Sequence, residues 1–355
     1  MKYLTFLFLL FAQPCFGQSK ALSKVINNID YHQDTVKAVY DWITNNIRYD
    51  IAKFKQVDKG ENLYKKGNYK NVDEFRADQL EKVIKRKKGV CEDYTILFEA
   101  IMNALGYESF RISGITKGPK GKLNRSSGHS WIAIKDRGEW KLCDPTWGAG
   151  QVKDGKKFIQ KYNPKWYNVD PEIMKERHYP FDPIWQLSDD PMTFNEFKKG
   201  AQLDDENPAF DFNAVIDNYM QKSDKERMTD ELARMEATED GEISLIRKRK
   251  KSLQSKISTN DIPSIIEQCR ASANQFNEYI LEGKNKGFRG DKWTLEYSKN
   301  TLIDIKAQIE ESIVAFDNVK VKSAKAKKGF KKNIAQSKKL LQKVEEELEY
   351  LESKS

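Results

Sequence analysis

No stretch of about 18 consecutive apolar residues occurs in the chain, which excludes a protein that threads repeatedly through a membrane. Cysteine is sparse, with 4 residues, so this is not a small scaffold built on disulfides. Histidine is sparser still, with 3, which restricts imidazole-rich metal centres and makes each histidine worth inspecting. The 19 glycines and 10 prolines in 355 residues form neither a collagen-like repeat nor a low-complexity tract, and no internal repeat is visible. The net charge of +9 comes without a zinc-finger, RRM-like or glycine-rich phosphate signature, so charge alone does not argue for nucleic acid. The length suffices for two domains.

The first residues read MKYLTFLFLLFAQPCFG. Lys2 precedes an apolar core from Tyr3 to Ala12, and Gly17 offers a small residue at a cleavage point. The expectation is a signal peptide over 1–17 and an exported chain, periplasmic or secreted. An uncleaved anchor is disfavoured by the short apolar stretch, and Gln13-Pro14 suits a lipid-modified Cys15 badly. Once Cys15 is removed, Cys91, Cys143 and Cys269 remain. Three is odd, so at least one thiol stays free in an oxidising compartment.

Composition divides the remainder. Of 40 aromatic residues, 11 lie in 205–355 and 40 − 11 = 29 in 1–204, and no proline follows Pro263. The acidic segment LDDENPAFDF (203–212) reads as a linker, giving domains over 18–204 and 205–355. The first is expected to be α+β. Val36, Val39, Tyr40, Ile43 and Ile47 have helical spacing over 34–47. Residues 51–76 read as a surface loop, and a second helix runs from Cys91 to Leu105 and stops at Gly106. Strand-like runs follow at 109–116, 130–135 and 139–144, with Gly138 as a turn, which points to an antiparallel sheet. The second domain reads as all-α, a charged bundle or short coiled coil. Leu302, Ile305, Ile309, Ile313 and Phe316 form a stripe, while Ile334, Leu341 and Leu348, like Val344 and Leu351, recur every seven residues. Residues 318–344 hold ten lysines and no acid, and 345–352 hold five glutamates. That segregation is a solvated face with partner-helix pairing, or a surface for an anionic cell-envelope partner.

Three residues carry chemistry together. Cys91 follows Gly89 and opens a helix whose stripe is Tyr94, Phe98, Ile101 and Leu105. Unpaired N–H groups and the helix dipole there favour a thiolate, although a lone cysteine on such a stripe is usually a small core residue. His129 opens a strand and shares a face with Trp131 and Ala133. Asp144 precedes Pro145 at the end of the next strand, and pairing about Gly138 brings it toward His129 if a bulge or offset adjusts the register. A thiol nucleophile needs a base that can later act as acid, and a carboxylate to orient that base. Cys91, His129 and Asp144 supply these types in a workable order. Trp131 and Trp147 flank them and line a substrate cleft or pack in the core.

The segments GVCEDYTILFEAIMNALGYE, GHSWIAI and CDPTWGAG resemble the three core motifs of the transglutaminase-like superfamily. VKAVYDWITNNIRYD resembles the helix before that core, and RHYPFDPIWQL the tail of an exported bacterial branch similar to kyphoscoliosis-type peptidases. The resemblance covers about 33–200. It implies a papain-like fold with Cys91 as nucleophile, His129 as base and Asp144 as third member. It also implies amide hydrolysis, transfer of glutamine to lysine, or a catalytically silent scaffold, each acting on protein or peptide partners. No cofactor or metal is expected. A zinc site from Cys91, His129, Cys143 and His178 lacks CxxC or HExxH spacing. Cys143 is expected in the core rather than paired with Cys269, and His178 in packing or hydrogen bonding rather than catalysis.

Overall fold

The computed structural model describes residues 19–31, 34–58, 63–67, 69–200, 211–237, 243–285, 287, 293–319 and 324–354. The expected signal peptide, His32 and most of the acidic segment at 203–212 lie outside these residues. The chain divides into two compact units, the first taking 1–221 and 234–247, the second 222–233 and 248–355.

The first unit begins with α1 (Lys20–Asn27) and α2 (Thr35–Asn46). Asp34 caps α2, accepting from Lys37 N at 2.9 Å, and the whole expected stripe from Val36 to Ile47 is buried. A two-residue strand, β1 (Arg48–Tyr49), follows. The expected loop over 51–76 is instead largely helical: α3 (Ile51–Asp58), α4 (Leu63–Lys66) and the start of α5 (Val72–Arg86). α3 buries no side chain, so it carries no apolar period to betray it. Its start is set by Asp50, which accepts from Lys53 N at 3.0 Å, just as Asn71 accepts from Glu74 N at 2.8 Å to start α5.

β2 (Lys88–Gly89) pairs in parallel with β1 and leads directly into α6 (Cys91–Ala104). β3 (Ser109–Thr116), β4 (His129–Asp136) and β5 (Glu139–Cys143) match the expected strands within a residue or two. Asp144 caps the short helix α7 (Pro145–Ala149) rather than ending the strand. The hairpin β6 (Gly150–Lys153) and β7 (Lys157–Gln160), then α8 (Pro171–Lys175), precede β8 (His178–Pro180). The main sheet is antiparallel, ordered β5-β4-β3-β8.

Strand alternation gives the sheet two apolar faces. Ile132, Ile134 and Cys143 pack with Tyr94, Leu97, Phe98 and Ile101 of α6 and with α2. Ile112, Trp131, Ala133 and Leu142 pack on the other side with Ile184, Trp185 and Leu187. Each fully buried large side chain contributes about 1.5–3 kcal/mol of burial. After α9 (Phe194–Lys199) comes α10 (Phe212–Gln221), whose Ile216 is fully buried in this second cluster. That packing carries the first unit past the boundary expected near 204.

The second unit draws on α11 (Asp224–Ala237), α12 (Ser244–Ile257), α13 (Ile262–Glu278), α14 (Leu295–Asn318) and α15 (Ala324–Glu352). Phe316 meets Phe330 while Lys306 meets Glu345, so α14 and α15 run antiparallel. Leu302, Ile305 and Ile309 face Val344 and Leu351 along one seam, closed by Phe276, Tyr279 and Trp293. No helix among the described residues is long and apolar enough to cross a membrane.

Candidate active site

Cys91 is placed by the β1–β2 pair. Arg48 N donates to Lys87 O at 2.9 Å and Asp50 N to Gly89 O at 2.8 Å, which fixes β2 just ahead of the helix. Asp93 locks the turn from inside. Its Oδ2 accepts from Val90 N at 2.7 Å, and Lys53 Nζ lies 2.6 and 2.8 Å from its two oxygens. Gly89 is required by this closeness, not by an unusual turn: a Cβ there would lie 2.4 Å from the Asp93 Cβ. Cys91 is therefore the first residue of α6, partly exposed and unpaired.

His129 arrives from the sheet. Arg137 and Gly138 have φ of 53° and 86°, the two positive values a tight two-residue hairpin turn needs. Pairing then runs without interruption from Asp136↔Glu139 to Ile132↔Cys143. The expected bulge is absent. Asp144 reaches His129 because the chain leaves the ladder and turns into α7. Asp144 N donates to Trp166 O at 2.8 Å, and Asp144 Oδ1 accepts from Thr146 N at 2.9 Å and Trp147 N at 3.0 Å.

The other carboxylate oxygen is shared. His129 Nε2 lies 2.7 Å and His178 Nε2 3.0 Å from Asp144 Oδ2. An ionised carboxylate only accepts, so both Nε2 atoms carry protons. Nδ1 is the ring nitrogen of His129 that remains, and Cys91 is the other group close enough to act on the ring. Burial alone would lower the His129 pKa, but the charge and hydrogen bond of Asp144 reverse this and raise it to about 10. Burial likewise opposes ionisation of Asp144, yet His129 and the two imidazole hydrogen bonds hold its carboxyl far below the usual range. His178 goes the other way, to about 4, because burial outweighs its hydrogen bond to the carboxylate.

The structure thus brings Cys91, His129 and Asp144 together. Trp147 is partly exposed with its ring centroid 5.4 Å from that of His129, a position suited to a cleft wall. Trp131 does not line a cleft; it is 1% exposed, because its strand position turns the ring into the sheet's second core. Cys143 is in the core, as expected, and Cys91, Cys143 and Cys269 are all free. His129, Asp144 and His178 are the one group of possible metal ligands found among the described residues, but their near atoms are bonded to one another. The four residues Cys91, His129, Cys143 and His178 would fit a zinc ion poorly, since Cys143 faces the other core and accepts from Asn168 N at 3.4 Å. Sequence reasoning missed Lys53 and Asp93, which hold the cysteine turn. It also missed the bond of His178 to Asp144. An acid at the third position of the cysteine helix is a visible capping signal for Asp93.

Residues 18–150 match the family described as the transglutaminase-like domain. Human kyphoscoliosis peptidase is 28% identical over 187 residues, covering 51% of this chain and 26% of that protein. The mouse kyphoscoliosis peptidase is 27% identical with the same coverage. The chain therefore spans about a quarter of the length of either relative. A crystal structure of a TGase aligns over 42% of this chain and 36% of that chain, with 19% identity and a TM-score of 0.27.

Proposed function

The chain belongs, through its N-terminal domain, to the transglutaminase-like superfamily, and on that premise we propose that it is an exported thiol enzyme acting on amide bonds of protein or peptide substrates. The observation that carries the reading is the continuous chain of contacts from Cys91 through His129 to a buried Asp144. With His129 favouring its charged form, the thiol proton moves to Nδ1 before substrate arrives, leaving a thiolate–imidazolium pair. Sγ attacks the carbonyl carbon, and the oxygen becomes an oxyanion. Val90 O already binds Asp93 N and Tyr94 N, so Cys91 N and Glu92 N are the first-turn donors left for that oxyanion. The carbon–nitrogen bond then breaks as His129 passes its Nδ1 proton to the departing amine, and a thioester remains. Neutral His129 next takes a proton from water. The hydroxide adds to the thioester, the carbon–sulfur bond breaks, and the thiolate–imidazolium pair returns. An amine in place of water gives transfer; hydrolysis is the default because water is always present.

Alkylation of Cys91 followed by mass spectrometry across pH tests this. Rapid labelling at about pH 5–6 that collapses in His129→Ala is expected from the ion pair. Labelling only above about pH 8, unchanged by that substitution, refutes the enzyme and leaves a catalytically silent binding module. Export belongs to the same proposal, and fusing residues 1–17 to a reporter tests it: a reporter retained inside the cell removes it. The proposal also places an envelope partner on the lysines of α15. Failure of a Lys338→Glu, Lys339→Glu variant to alter cell-envelope association would remove it.

A further inference from the structure

The thiol chemistry gives His178 no step, yet the structure spends a buried imidazole on the same carboxylate oxygen that orients His129. His178 is 1% exposed and sits on the edge strand β8, far from Asp144 in sequence. Rings of Trp131, Trp147 and Trp166 surround it, with centroids 5.0, 4.5 and 5.4 Å away. An apolar side chain would suit that box. Instead an imidazole occupies it, with Nδ1 buried and without a partner, an arrangement that works against stability. The hydrogen bond it makes is the one from Nε2 to Asp144 Oδ2, at 3.0 Å.

The charged and titratable groups facing His178 are Asp144, His129 and Arg177. Arg177 stacks on Trp147 and Trp166, 4.8 and 5.7 Å from the ring centroids, and donates from Nη2 to Lys117 O at 3.1 Å. With Arg177 and a charged His129 both near, a third cation is disfavoured. His178 is thus an uncharged donor, and its proton is confined to Nε2 by the carboxylate.

We infer that His178 is a positioning residue: a neutral second donor to Asp144 Oδ2 that keeps the carboxylate ionised and so keeps His129 in the tautomer that serves Cys91. The inference rests on the proposed thiol chemistry and deepens it. A buried carboxylate with one donor fewer protonates more readily. Once protonated, Asp144 no longer favours the imidazolium, and the thiolate is lost with it.

The test is the pH profile of Cys91 alkylation in the full chain, for wild type, His178→Phe and His178→Gln. Phenylalanine fills the aromatic box without a donor, whereas the glutamine amide can still donate. His178→Phe is expected to move the acid limb up by about one pH unit, so labelling on that limb falls about tenfold while labelling at pH 8 is little changed. His178→Gln should restore most of the low-pH labelling. A merely structural role would lower labelling at every pH, and in both variants alike; that result, or an unshifted acid limb in His178→Phe, overturns the inference. Should His178→Phe fail to fold, ¹⁵N imidazole spectra of the wild type decide. A neutral ring protonated at Nε2 from pH 5 to 8 is expected, and an Nδ1–H tautomer or a charged ring overturns the inference. A wild type that shows no low-pH labelling overturns the thiol chemistry itself, and this inference with it.

Discussion

The sheet end that holds Asp144 and the seam between α14 and α15 solve the same problem, burying side chains, in opposite ways. At the sheet end, residues 91, 129, 144 and 178 come from a helix start, two strands and a helix cap, joined by directed polar bonds. Along the helical seam, Leu302, Ile305, Ile309, Val344 and Leu351 come from two helices at regular spacing and touch through undirected apolar contact. The first arrangement tolerates few changes, because each polar group removed strands another. The second should degrade gradually, in proportion to the volume removed.

The sharpest way to break this contrast is Asp144→Ala. It removes the acceptor of Thr146 N, Trp147 N and two buried imidazoles at once. A loss of about 3–5 kcal/mol in the urea unfolding of the first unit is expected, together with loss of Cys91 labelling at low pH. An unfolding midpoint close to wild type would show that the network bears little of the stability.

Ile309→Ala asks the same question of the seam. It should cost about 2–4 kcal/mol in the second unit and leave the pH profile of Cys91 labelling as it was. A changed labelling profile would join the two regions more closely than their separate cores suggest.

The third test is acid. His178 has a folded pKa of about 4, below its unfolded value near 6.5, so the unfolded chain binds more protons between those values. Stability of the first unit therefore falls as pH drops from about 6.5 to about 4, by roughly 3 kcal/mol, and the slope should vanish in His178→Phe. Asp144 adds a further loss below about pH 4, since its depressed carboxyl must be protonated there. His129 has the opposite sign. Its raised pKa stabilises fully below about 6.5, and that contribution disappears as pH rises through about 10. Urea midpoints across this range check all three slopes.

The same contrast explains what could be read from sequence. The seam was legible because period and packing coincide: every residue of the stripe from Leu302 to Phe316 falls on the buried or half-buried side of α14. α2 and α6 were legible for the same reason, with Asp34 and Gly106 marking their ends. Cys91, His129 and Asp144 were legible as residue types in a suitable order. Their meeting was expected through a bulge or offset in the ladder; the actual route was not legible, because Asp144 acts from a helix cap rather than from the strand. α3 was hidden by having no buried face, and β1, β2 and β8 by being only two or three residues long. Such strands show no alternation; only their tertiary partners define them. Cleft and core stayed open for Trp131 because sequence does not say which face of a strand meets a second core.

The position of β8 has a consequence for biosynthesis. It pairs with β3, which ends at Thr116, so 178 − 116 = 62 residues separate the partners in the chain. Contacts across such separations form late, after local helices and hairpins. A nascent chain that has emerged only as far as α7 already holds the thiol, the imidazole and the carboxylate. It lacks the second donor on the carboxylate, and one edge of β3 is still open. Under the reading above, translation past Pro180 is the event that extends the nucleophile's reactivity toward low pH, and a polypeptide stalled before it loses its thiolate sooner on acidification.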